Sequence, residues 1–187
     1  ITFHLFYLLL LTQVKKFLED EALRVFLLTI VIATAVIFLH SYLSRIHETI
    51  TLRHSFFTVS SVISTTAYTV VAFNEWTSLA KGILLLLMFF GGMAGSTAGG
   101  LKISRVIILI KSAILEFRKS SRPRRVLSLR FNKEAVGEKL RLSVLNYFSI
   151  YIMIISLSVL LLLLDLPNFV AAFSAAVAAI NNIGPGF

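Results

Sequence analysis

Five of the chain's nine glycines fall within ten residues, in the stretch Phe89 to Lys102 that reads FFGGMAGSTAGGLK, and that stretch lies inside an apolar run. Lys81 and Lys102 bound twenty uncharged residues, enough to cross a bilayer as a helix. Glycine costs about 1 kcal/mol relative to alanine in a helix interior, so a helix selected for stability would not carry this load. Either the backbone presses closely against a neighbour or the helix stops partway across. Non-helical backbone at membrane depth survives only where it is buried in protein or lines a watery cavity, so the run suggests a pore or transport path.

The rest of the chain fits a bilayer. Hydrophobic residues make up 57% of it and charged ones 14%, and the mean hydropathy is +0.89. This composition excludes an ordinary soluble domain and indicates an all-α polytopic membrane protein. Without cysteine there is neither a disulfide framework nor a thiolate metal site. No HExxH, GxSxG or paired intramembrane carboxylates occur, so the chain does not read as an enzyme. It opens on Ile1 inside an apolar stretch with no charged leader region, and it reads as a piece of a longer protein.

Charge spacing divides the chain. Residues 1–20 read as the end of a preceding transmembrane helix and a cytoplasmic linker. Residues 21–117 form one unit, with a span over 23–44, a short helix and polar tail over 51–70, and a broken return span over 79–117. A basic loop occupies 118–141, and 142–187 repeats the first part of the unit, with a span over 142–164 and a short helix and tail over 168–187. Nine of the eighteen Lys and Arg residues lie between Arg118 and Arg141, so the positive-inside bias makes this loop cytoplasmic. Counting spans backward then places 47–77 outside and 15–24 inside, and both basic clusters agree on that topology.

The two short segments differ from ordinary spans. His54 to Asn74 holds eight Ser or Thr, and Asn168 to Phe187 is rich in small residues and ends in a turn. A half-helix entering from outside and ending mid-membrane aims its C-terminal carbonyls, the negative end of its dipole, at whatever lies there, which favours a cation. In Thr65, Thr66, Ala67, Tyr68 and Thr69 the β-branched and aromatic side chains favour extended backbone. In Asn182, Ile183, Gly184, Pro185 and Gly186 the glycines and proline end the helix. Backbone carbonyls can replace the hydration shell of potassium, and with no carboxylate in either tail a monovalent cation fits better than calcium or magnesium.

The order of span, short helix, tail and return span, with GGMAGSTAGGLKISR inside the return span and NNIGPGF in the later tail, resembles the Trk/Ktr/HKT superfamily of potassium transporters, and in particular its bacterial Trk membrane subunits. The resemblance covers essentially the whole chain, as the third repeat and most of the fourth of a four-repeat pore. It implies potassium translocation through a carbonyl-lined selectivity filter, with Thr65, Thr66, Ala67 and Tyr68 in one filter segment and Asn182, Ile183, Gly184 and Pro185 in the next. It further implies a gating loop formed by Gly91, Gly92, Ala94, Gly95, Ser96, Thr97, Ala98, Gly99 and Gly100, with Lys102 and Arg105 opening the inner half of the helix. A homodimer in the bacterial inner membrane and a cytoplasmic nucleotide-binding regulatory subunit are also implied. The family usually has glycine before the aromatic filter residue, where this chain has Ala67.

Plainer readings stand beside these. Gly91, Gly95 and Gly99 are four apart and could form a packing seam on an unbroken helix. The run is not a phosphate loop, because Leu101 separates Gly100 from Lys102. The Ser and Thr residues of 55–69 could bond back to their own helix. The basic loop could be a topology signal alone, and nothing in it calls for nucleic acid. A secondary transporter with re-entrant hairpins, coupling a substrate to a monovalent cation, is the alternative function.

Overall fold

A computed structural model describes residues 17, 19–44, 50–66, 68–71, 76–121, 128–184 and 186. The stub 1–16, His47, Ala67, Pro185 and the arginines at 122, 124 and 125 lie outside the described residues.

The first long helix, α1, runs Glu21–Leu43. Asp20 caps it by accepting from the Leu23 amide at 2.8 Å. Leu23, Phe26, Ile30, Ala33 and Ile37 form a buried stripe at three- and four-residue spacing, yet Leu28, Val31 and Leu39 on the other face are 60%, 63% and 58% exposed. A helix that is apolar all round faces lipid or protein on every side. Helix α5, Glu138–Leu162, has the same character, burying Tyr151, Ile155 and Val159 every fourth residue. These are the two helices among the described residues that are long and apolar enough to cross a membrane. At 1.5 Å per residue both exceed a hydrocarbon layer of about 30 Å.

Each long helix is followed by a short one packed against it. Helix α2, Leu52–Ser64, is capped by Thr51 and packs on α1, and helix α6, Phe169–Ile180, is capped by Asn168 and packs on α5. Both are about 18–20 Å long, about two thirds of that layer.

The return span is broken. Helix α3, Ser78–Phe89, stops, and helix α4, Ile103–Ser121, begins only after strand β1, Phe90–Gly91, the loop 92–100 and strand β2, Leu101–Lys102. The two strands pair in parallel, Phe90 with Leu101 and Gly91 with Lys102, so the chain leaves the loop heading the way it entered. Helices α3 and α4 are therefore separate helices joined through this strand pair. A packing seam on an unbroken helix is excluded, because loop 92–100 carries no helical backbone and Gly95 and Gly100 adopt φ of 77° and 71°.

The described end of the basic loop, residues 128–137, has structure of its own. Strands β3, Arg130–Phe131, and β4, Glu134–Ala135, form an antiparallel hairpin whose turn residues Asn132 and Lys133 have φ of 50° and 69°. Two successive left-handed residues make the turn that matches strand twist, and asparagine tolerates that conformation. The turn docks on the start of α1. Asn132 Oδ1 accepts from the Glu21 amide at 2.8 Å, Asn132 Nδ2 donates to Asp20 Oδ2 at 2.9 Å, and Lys133 pairs with Glu19 at 2.8 Å. Lys111 on α4 pairs with Glu21 and donates to the Arg130 carbonyl at 2.8 Å, tying three elements together.

Candidate functional site: two helix ends at a broken span

Helices α2 and α6 end in the same way. After α2, the Thr66 amide bonds the Ser61 carbonyl at 3.0 Å and the Thr65 amide bonds that of Val62 at 3.1 Å. After α6, the Ile183 amide bonds the Ala178 carbonyl at 2.9 Å and the Asn182 amide bonds that of Ala179 at 3.2 Å. Both are six-to-one closures around a left-handed residue, Thr65 at φ 54° and Asn182 at φ 53°. The match sets Thr66 against Ile183 and Ala67 against Gly184.

The left-handed turn at Thr65 corrects the expectation of extended backbone there. Positive φ in a β-branched residue is strained, and its neighbours hold it in place. The Thr65 hydroxyl accepts from the Gly99 amide at 3.2 Å, joining the tail to the loop of the broken span. Beyond it, Ser61 on α2 donates to the Tyr68 carbonyl at 2.7 Å, folding the tail back along the helix. Ser64 and Thr66 hydroxyls lie 2.6 Å apart. Ser55 and Ser64 also bond back to Thr51 and Ser60, so the plain reading of these hydroxyls holds for those two and fails for Ser61. Gly184 takes φ of 88°, a conformation that side chains disfavour.

The other helix end meets the same loop through Asn181, which is fully buried. Its amide nitrogen donates to the Met88 carbonyl at 2.8 Å, satisfying a group freed where α3 stops, and its Oδ1 accepts from the Tyr151 hydroxyl at 2.9 Å. Gly99 packs so closely on the Asn181 backbone that a Cβ there would sit 2.0 Å from its carbonyl oxygen. The loop is thus held between Thr65 and Asn181. Its interior is pinned from below, with the Lys102 ammonium donating to the Ser96 carbonyl at 3.0 Å and to that of Ala98. A cavity of about 210 Å³ opens between the loop and the end of α2, lined by Phe26, Ser64, Gly92, Gly95, Ser96, Thr97 and Ala98.

Of the candidate residues, Thr65 and Gly99 are brought together, and Asn181, next to Asn182, meets the same glycine; Ala67 and Pro185 lie outside the described residues. Sequence reasoning did not single out Asn181, Tyr151 or Ser61. The paired asparagines of NNIGPG carry a hint, since a polar amide next to a helix end in an apolar segment needs partners. Tyr151 and Ser61 have no such signal, because their partners lie on other elements or beyond the helix end.

Long apolar helices, each paired with a half-length helix ending beside a broken return span, define an all-helical, multi-crossing membrane protein built from span, half-helix and return-span units. The chain belongs to the TrkH family of cation transport proteins, whose family model matches residues 3–187. It is 31% identical over 178 residues to the Trk system potassium uptake protein TrkH of Escherichia coli K12 and 32% identical over 177 residues to TrkG of the same strain, covering 93% of this chain in each case. It spans 36% of the length of each of these relatives. The crystal structure of the potassium transporter TrkH from Vibrio parahaemolyticus superposes with a TM-score of 0.88 at 27% identity, over all of this chain and 41% of that one.

Proposed function

We propose that this chain contributes two of the segments that select potassium, and the gate below them, in a potassium-translocating membrane subunit. One observation carries the reading: two short helices with matching left-handed ends converge on one loop in a broken crossing. Their last carbonyls bring partial negative charge to that point without any carboxylate, which suits a monovalent cation. The relatives' names as potassium uptake proteins support the choice of ion.

The short helices enter from outside, the 118–141 loop is cytoplasmic, and the protein resides in the bacterial inner membrane as a homodimer with a cytoplasmic nucleotide-binding regulatory subunit. Thr65 to Tyr68 and Asn182 to Pro185 line two sides of the ion path. Gly91 to Gly100 obstructs that path from below, held shut by the Thr65 hydroxyl, the Asn181 contact and the Lys102 ammonium. Few side chains anchor the loop, so breaking a small number of hydrogen bonds releases it.

Deleting residues 94–98 from the full-length protein in proteoliposomes is expected to raise potassium flux severalfold. Unchanged flux with normal assembly removes the gate from this loop. Unitary currents support diffusion through a filter, whereas strict stoichiometric coupling without unitary events supports the hairpin transporter instead.

A further inference from the structure

A second cavity lies far from the helix ends, between the lower half of α4 and strand β3. It holds about 300 Å³ and is lined by Lys111, Arg118 and Arg130 together with Ile114, Leu115 and Leu129, among others. Three basic side chains share it with no carboxylate among its lining residues. Lys111 is fixed by Glu21 and by the Arg130 carbonyl, whereas Arg118 and Arg130 have no ion pair among the described residues. Aliphatic side chains lie beside the charges: Ile114 and Leu115 share the helix face of Lys111 and Arg118, and Leu129 precedes Arg130; Leu129 is buried, while Ile114 is 47% exposed.

Depth identifies the surroundings. Helix α3 descends about 18 Å, leaving about 12 Å of a 30 Å hydrocarbon layer to α4, or about eight residues. That count from Ile103 puts Lys111 at the lower hydrocarbon edge and Arg118 one to two turns beyond it. Basic side chains at headgroup depth meet phosphate, and aliphatic side chains on the hydrocarbon side meet acyl chain.

We propose that this cavity is a phosphate-binding site that takes the headgroup of an anionic phospholipid from the cytoplasmic leaflet. The assignment rests on the topology given under the proposed function, with the 118–141 loop inside. Lys111 and the guanidinium groups of Arg118 and Arg130 receive the phosphodiester, and Ile114 and Leu115 contact the first methylenes of the acyl chain. Guanidinium suits this task because its planar fork bonds two phosphate oxygens at once. A bound lipid would bridge α4 to the hairpin that docks on α1.

The test uses full-length protein in detergent micelles, so that its outcome does not depend on orientation or on ion flux. Titration with dioctanoyl phosphatidylglycerol, followed by native mass spectrometry, is expected to show saturable binding, with dioctanoyl phosphatidylcholine binding at least about tenfold more weakly. The R118Q/R130Q double variant should lose about tenfold or more in affinity, and the charge-retaining R118K/R130K variant should recover part of it, which keeps the result readable if the first variant folds poorly. Lys139→Gln, which removes one charge outside the cavity, should bind as wild type. Inorganic phosphate at the same concentrations should not compete; effective competition would assign the site to soluble phosphate and overturn the lipid. Equal binding of both lipids, or of the wild type and the double variant, would overturn the site altogether.

Discussion

Thr65 and Asn182 adopt the same left-handed conformation at the ends of two helices whose sequences share little, and each is followed by the segment proposed to face the ion. Two residues beyond each of them in the sequence stand Ala67 and Gly184. Gly184 has φ of 88°, so a side chain there strains the backbone that sets the carbonyl directions. Gly184→Ser is expected to lower potassium preference over sodium by about tenfold, whereas Ala67→Gly should keep or improve it. Reversal potentials of the full-length protein in mixed potassium and sodium decide this, and wild-type selectivity in Gly184→Ser would remove the fourth segment from the ion path. The glycine at 184 stood out in the sequence as a helix end. The strain at Thr65 did not, because its compensating hydrogen bond comes from Gly99, 34 residues away.

The broken crossing and the hairpin show what sequence patterns reveal about elements. Glycine density predicted the interruption of the return span, and the parallel strand pair shows that the interruption has its own backbone hydrogen bonds. The hairpin left a weaker trace: an Asn-Lys turn between two-residue strands lacks the Asn-Gly signature and the long alternation that mark hairpins. Its docking on α1 rests on Asn132 and on the Lys111 bridge more than on Lys133, because the Lys133 to Glu19 pair is exposed and such pairs contribute about 1 kcal/mol at most. Asn132→Ala removes the turn preference and the bond to the Glu21 amide together, and should cost about 1–2 kcal/mol. The thermal midpoint should fall by about 2–4 °C for each kcal/mol lost. Asn132→Gly keeps the turn and the bond from its backbone amide to Glu21 and removes only the side-chain docking bonds, so a midpoint equal to wild type in that variant would show that those side-chain bonds add nothing.

The long helices, the half-helices and the broken crossing define one insertion pattern, and the chain has no cysteine of its own. That makes accessibility labelling straightforward once native cysteines elsewhere in the full-length protein are replaced. Ser128→Cys, on an exposed residue next to the hairpin, should react with a membrane-impermeant maleimide from the cytoplasmic side alone. Thr69→Cys, exposed beyond the end of α2, should react from the outer side alone. Labelling of both positions from one side would overturn the topology and, with it, the direction in which the half-helices enter.

Membrane class, the two long apolar helices, the shorter helices that follow them and the break between α3 and α4 were legible in the sequence alone. They follow from properties that act over one to six helical turns, namely apolar length, glycine load, charge asymmetry and the helix-ending residues near 65 and 182. What only the tertiary structure decided is how these parts meet. Asn181 joins α6 to the carbonyl of Met88, 93 residues earlier, and Asn132 joins the hairpin to Glu21, 111 residues earlier. Bonds over such separations are set by packing of whole elements, which buries particular polar groups and requires partners for them, and no local pattern of residues encodes which partner that will be.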